Sequence, residues 1–221
     1  MNERKISFIM CTNHKIYEKE CISYIERLNI PDGFEIDIMI VEGAESMASG
    51  YNQAMKESDA KYKIYLHQDV FIVYKEFLRE ILKLFQHQEI GLAGIVGSSN
   101  IEESAVMWYG PRVGMLYSHS ICSTSETLFG KVEGDYQEVS AVDGLLMATQ
   151  YDILWREDIF KKWDFYDVSQ SFEFRKKGYK VVVPAVNEPW CIHDDGILDL
   201  GNYFKEREKF LQEYAKYIGH L

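Results

Sequence analysis

Three polar residues, His67, Gln68 and Asp69, interrupt an otherwise apolar stretch at residues 61–73, KYKIYLHQDVFIV. The run KIYL ahead of them reads as a buried strand, and fully apolar runs of this kind suit central strands of a mostly parallel sheet. The carboxyl ends of such strands are where open α/β sheets hold ligands. Asp69 is therefore read as a carboxylate facing a crevice, where it holds a divalent cation bound to a nucleotide diphosphate. The competing reading is a strand-end Asp that caps the following turn. His67 taken alone suits a hydrogen-bonded core residue as well as a metal ligand.

Other candidates are scattered along the chain. Asp167 stands just ahead of a predicted helix in WDFYDVSQSFEFRKKGYKV. It is either a favourable charge or cap at that helix start or a general base at the crevice rim. His193, in CIHDDG, lies beside Asp194 and Asp195 and reads first as part of a solvated turn. Glu42-Gly43 ends a predicted strand and serves either turn chemistry or a contact to a ribose or base. Asp143, followed by Gly144, sits inside the apolar run EVSAVDGLLMAT. An unpaired buried carboxylate is costly, so Asp143 is expected to have a partner or a ligand. The sequence holds no P-loop, GxGxxG, HExxH or GxSxG, which leaves Ser-His-Asp nucleophilic catalysis without support.

These residues need elements to hold them. Residues 5–11 read as a first strand, with Thr12-Asn13-His14 as the loop at its carboxyl end. A helix follows over 17–28, stopped by Pro31-Asp32-Gly33. Residues 34–41 form a second strand and 46–58 a helix. Gly50 is awkward inside that helix and is read as admitting a ligand close to the backbone. Residues 77–85 give an amphipathic helix and 90–96 another buried strand. Two strand–helix–strand passages predict a parallel, right-handed nucleotide-binding half. Residues 98–134 read as loops with a hairpin around 107–117. Beyond them come a strand over 138–149 broken at Asp143-Gly144, a helix over 168–177, a strand over 179–183, a polar loop over 191–196 and a closing helix over 203–218.

Composition narrows the function classes. The chain has 221 residues, of which 47% are hydrophobic, enough for one full-sized core. A formal net charge of -11 argues against a broad nucleic-acid surface and against docking on anionic lipid. It leaves a nucleotide ligand open, since a metal ion neutralises a diphosphate locally. Cys11, Cys21, Cys122 and Cys191 have irregular spacing, which predicts buried free thiols and no zinc site. No apolar run is long enough for a transmembrane span and the start does not read as a signal peptide. A soluble cytoplasmic protein is the expectation.

The order of motifs is more specific than any one of them. SMASGYNQAMKES followed by KYKIYLHQDVFI, then VDGLLMATQYDIL, WDFYDVSQSFEFRKKGYKVVVP and CIHDDG, resembles the family 2 glycosyltransferases of the GT-A fold. Within it the chain is most similar to the small bacterial StrF-like branch, whose pattern includes HQD. The resemblance spans nearly the whole chain and implies an α/β GT-A-type nucleotide-diphospho-sugar transferase fold, with a mostly parallel central sheet flanked by helices. It implies one domain over 1–221, with a nucleotide-binding half over about 1–97 and an acceptor-side half over about 98–221. By resemblance, Asp69 and His193 hold Mg2+ or Mn2+ on the donor diphosphate, and Asp167 is the base for the acceptor hydroxyl. Thr12, Glu42, Asn52, His67 and Gln68 would face the donor, and Asp143 and Gly144 the acceptor. The implied partners are a nucleotide-diphospho-sugar donor and a saccharide or other hydroxyl acceptor. The sequence departs from the family at His67, which replaces the first acid of the metal motif, and at Tyr166, which replaces the usual Glu before the base. The rival reading is a GT-A domain that binds a sugar nucleotide without transferring it. A nucleotidyltransferase would want a glycine-rich loop after the first strand, and CTNHKIYEKE has none. Oligomeric state is not legible.

Overall fold

A computed structural model of the chain describes residues 1–196 and 199–219. The apolar runs of the sequence become a seven-stranded sheet. Its first strands are β1 (Asn2–Thr12), β2 (Glu35–Glu42) and β3 (Ala60–Leu66), parallel to one another with β1 between the other two. The short β4 (Val70–Ile72) leaves for a second sheet. Next along the chain are β5 (Ile90–Gly94), β6 (Val96–Ser98), β7 (Arg112–Ser120), β8 (Ser123–Gly130), β9 (Tyr136–Glu138), β10 (Ala141–Val142) and β11 (Leu146–Thr149). The last two are β12 (Lys180–Pro184) and β13 (Cys191–Asp194).

The first sheet has the order β2-β1-β3-β11-β5-β12-β9. Strands β2, β1, β3, β5 and β12 run one way, while β11 and β9 run against them. The fold is the expected mixed α/β arrangement, with one feature that matters for the site. Strand β11 enters antiparallel between β3 and β5, pairing Leu146 with Leu66. Its amino end, preceded by Asp143-Gly144-Leu145, therefore lies beside the carboxyl end of β3, and the His67 N–H donates to the Leu145 carbonyl at 3.0 Å. The second sheet has the order β10-β6-β7-β13-β4, with β8 paired to β7.

Helices cover the first sheet. They are α1 (Lys15–Ile25), α2 (Met47–Glu57), α3 (Phe77–Leu84), α4 (Tyr166–Lys176) and α5 (Tyr203–Tyr214). Ser46 caps α2, accepting from the Ser49 N–H, while the Ser49 hydroxyl receives the Ser46 N–H in return. Apolar side chains of β1, β3, β5 and β11 form the core with α1 and α3 on one face and α2 on the other. A third cluster, including Phe160, Phe165, Phe172, Phe210 and Tyr214, ties α4 to α5. Among the described residues, no helix is long and apolar enough to cross a membrane.

Four local expectations change. The hairpin lies not at 107–117 but at β7 and β8, after a single 3-10 turn at Met107–Tyr109. Strand β8 has no buried residue, so it carries no apolar signal to read. CIHDDG is not a loop: Cys191–Asp194 is a strand held between β4 and β7. Gly50 serves packing and not a ligand, since a Cβ there would collide with the Cys11 sulfur and come within 2.9 Å of the Ala44 methyl. Of the four thiols, Cys122 is exposed and the other three are buried.

Candidate functional site

Two groups of side chains meet at the carboxyl edge of β3. The first is His67, Asp69 and His193, whose ligand-capable atoms lie within 4.8 Å of one another. The fold builds this trio from two directions. The chain turns out of β3 through His67-Gln68-Asp69 into β4, and β13 returns antiparallel to β4, with His193 opposite Val70. The Asp194 N–H donates to the Asp69 carbonyl at 3.0 Å and locks the two segments together. Asp69 Oδ1 then stands 3.9 Å from His67 Nδ1 and 3.8 Å from His193 Nε2.

The chemistry of these donors fits a cation. Asp69 Oδ1 is buried and has no hydrogen-bond partner, an arrangement that costs free energy unless something positive fills it. Burial raises the pKa of Asp69, and the nearby His193 only partly opposes that. Burial also pushes the His67 imidazole down to about 4 and lowers that of His193, which keeps both rings neutral, as metal ligation requires. His67 Nε2 is hydrogen-bonded to the Tyr166 hydroxyl. Ligating imidazoles ordinarily donate their other N–H to a fixed partner, which sets ring orientation; Tyr166 is placed to be that partner, leaving Nδ1 on the side of Asp69.

Gln68, between the two donors, points the other way. Its Oε1 accepts from the Thr12 hydroxyl at 2.8 Å and from the Asn13 and His14 N–H groups at 3.1 and 3.0 Å. Its Nε2 donates to Asn13 Oδ1 at 2.7 Å. These bonds brace the loop after β1. Thr12, Gln68, His67 and Asp69 line a cavity of about 190 Å3 together with Met47 and Trp163. Glu42 lies across from Thr12 on β2 but is exposed and ion-paired with Lys15. Asn52 is apart from the trio: buried on α2, it exchanges two hydrogen bonds with the Trp155 backbone, each at 2.9 Å.

The second group is Asp143, Gly144 and Asp167. Asp143 Oδ1 accepts from the Leu145 N–H at 2.9 Å. Asp167 accepts from Gly144 N–H at 3.0 Å and Val168 N–H at 2.8 Å. Asp167 is in the first turn of α4, where the helix field favours negative charge. Even so, burial raises its pKa, and burial together with the Asp167 charge raises Asp143 to about 7. Gly144 has a second duty. A Cβ there would overlap the Tyr166 hydroxyl, so only glycine lets that ring reach His67. Ahead of Asp167, Phe165 adopts φ +60, a conformation that costs a bulky residue of order 1–3 kcal/mol. Its ring is buried against Tyr203 and Phe210, and that packing holds the strained turn in place.

Asp143 and Asp167 line a larger cavity of about 410 Å3. Its walls include Trp108, Trp163, Tyr203 and Phe204. His67 and Trp163 line both cavities, so the two groups share one wall. Sequence reasoning placed His67 on the donor side and did not see Tyr166 as its partner. The one signal available was the departure from the family's Glu at that position.

In structure, the chain is similar to the mannosyltransferase PcManGT from Pyrobaculum calidifontis in complex with GDP-Man and Mn2+, with a TM-score of 0.59 at 14% identity, covering 100% of this chain and 66% of that one. It is similar to S. aureus TarS, with a TM-score of 0.58 at 11% identity, covering 91% of this chain and 38% of that one. TarS 1-349 in complex with UDP gives 0.58 at 11%, covering 95% and 65%. At such identities the likeness carries the fold, that of GT-A glycosyltransferases, and the chain spans about two thirds or less of each of those proteins. No curated protein matches by sequence. The sequence profile of the "Glycosyltransferase like family" matches residues 7–214, from the first strand through the last helix, and the chain belongs to that family.

Proposed function

We propose that the protein transfers a sugar from a nucleotide-diphosphate donor to an acceptor hydroxyl, with inversion at the anomeric carbon. The observation that carries this reading is the meeting of a cation-ready trio and a pair of carboxylates across the wall made by His67 and Trp163. Asp69, His67 and His193 are the residues that would hold a metal, and two neutral imidazoles suit Mn2+ better than Mg2+. The ion, when bound, supplies positive charge to the departing diphosphate. Thr12 and the loop braced by Gln68 form the floor on which the nucleoside lies. Asp167, held by two backbone N–H groups and raised by burial, accepts the proton of the acceptor hydroxyl as the new bond forms. Asp143 and Gly144 position Asp167 and the acceptor. In this reading the donor is bound mainly by residues 1–97 and the acceptor mainly by 98–221, and the HQD motif supports assignment to the StrF-like branch.

The structural neighbours were solved with GDP-Man, UDP or UDP-GlcNAc, which makes UDP and GDP sugars the first donors to try. Calorimetry with each, with and without Mn2+, is followed by a product assay and assignment of the anomeric configuration. Binding that needs Mn2+ and is lost in Asp69→Ala supports the reading; nucleotide binding untouched by either change defeats the metal role. Binding without any transfer across an acceptor panel favours the second reading, a sugar-nucleotide-binding domain.

A further inference from the structure

The larger cavity holds more negative charge than proton transfer needs. Three carboxylates line it, Asp143, Asp164 and Asp167, and no lysine or arginine is among its lining residues. Asp143 and Asp167 are steadied by backbone N–H groups. Among the described residues Asp164 has no hydrogen-bonded partner: burial, then repulsion from Asp167, Glu206 and Asp199, push it up to about 6. The arginines around the cavity have other partners. Arg207 donates to the Ser104 carbonyl, and Arg112 lies 4.4 Å from the centre of the Phe129 ring and 5.9 Å from that of Trp108, on the cavity wall. Much of the rest of the wall is aromatic and open, with Tyr109, Trp163 and Phe204 being 70%, 46% and 60% exposed.

Such a wall selects by charge as well as by shape. Rings left uncovered by folding stack on the C–H faces of a sugar and attract cations. One carboxylate suffices to take a hydroxyl proton. The other two are each repelled by Asp167, a cost that a ligand of opposite charge relieves. A phosphorylated or carboxylated acceptor would meet like charge instead.

We propose that the cavity selects acceptors bearing a protonated amine near the reacting hydroxyl, with Asp164 as the carboxylate that reads the amine. This rests on the cavity being the acceptor site of the function proposed above.

The test uses the full chain and follows the fluorescence of Trp108 and Trp163. Glucose, its 2-amino, 3-amino and 6-amino derivatives, N-acetylglucosamine and glucose 6-phosphate are titrated at pH 6.5. At least one amino sugar is expected to bind about tenfold or more tightly than glucose, and glucose 6-phosphate more weakly than glucose. In Asp164→Asn the amine preference should fall about tenfold while glucose binding stays. Equal affinity for amino and neutral sugars, no binding by any amino sugar, or a preference for the phosphate overturns the proposal. The wild-type series decides without the variant should Asp164→Asn fail to fold. UDP and GDP are titrated with Mn2+ on the same samples. Nucleotide binding with no amine preference defeats this inference and leaves glycosyl transfer standing. Amine preference with no nucleotide binding does the reverse.

Discussion

The trio at Asp69 and the pair at Asp143 and Asp167 lie on either side of His67, yet they are built on opposite electrostatic terms. Around Asp69 the fold supplies two imidazoles that burial keeps neutral and leaves one carboxylate oxygen without a partner. Around Asp167 it supplies backbone N–H groups to carboxylates that burial and like charge hold above their ordinary range. The first arrangement is short of a positive charge. The second holds carboxylates raised by burial, the direction that suits a base working near neutral pH. Both use the same physical lever, removal of water, and the difference lies in what each carboxylate is left facing. Tyr166 joins them: its hydroxyl is on His67, its backbone precedes Asp167, and its ring lies over Gly144.

The sharpest way to break this division of labour is Asp167→Asn. Removing a general base typically costs about a hundredfold to ten-thousandfold in rate. Turnover of a UDP or GDP sugar should fall by that much while Mn2+-dependent nucleotide binding stays within about twofold. Loss of both together would mean that the two groups form one site and not two.

A smaller effect is expected for Tyr166→Phe, which keeps the buried ring and removes only the hydroxyl on His67. Partners of ligating histidines typically contribute about 10–100-fold to metal affinity. Mn2+ affinity, read by electron paramagnetic resonance without any substrate, should drop within that range. Unchanged Mn2+ affinity would show that His67 is held by packing alone.

The mildest test concerns Asp143, whose pKa rises from the usual carboxylate range to about 7 on folding. Because the folded state binds that proton more tightly than the unfolded state, stability is fully present below about pH 4 and is lost as pH rises towards 7. Asp143→Asn should therefore gain stability relative to wild type above pH 7 and not at pH 4. Each 1 kcal/mol gained would appear as about 2–4 °C in Tm for a chain of this size. The same substitution should move the acid limb of the pH–rate profile downward, since it removes a carboxylate that titrates near neutrality beside the base. A melting curve indifferent to pH, or a limb that stays in place, would contradict the raised pKa.

How much of this was legible beforehand differs between the two groups. Asp69 stood out because a carboxylate had no place in the apolar run around it, and the strand and the crevice followed from that contrast. His193 was nearly hidden, because Cys191–Asp194 alternates too briefly and too polarly to read as a strand. Its position comes from pairing with β4 and β7, which are distant in sequence. Gln68 and Asn52 face the donor by resemblance only; what the fold adds is that their amide groups tie the backbone at Asn13 and Trp155. Tyr166 could not be paired with His67 from the chain alone, since 99 residues separate them.

The sequence by itself determined most elements of the first sheet and their order, and the placing of Asp69 at a strand end and Asp167 at a helix start. Local patterns of apolar residues encode these directly, because burial along one strand or helix repeats with its own period. Only the tertiary structure decided that β11 runs backwards between β3 and β5 and so carries Gly144 beneath Tyr166 and next to His67. Pairing between strands depends on contacts across the whole chain, and no local period records which neighbour a strand will find.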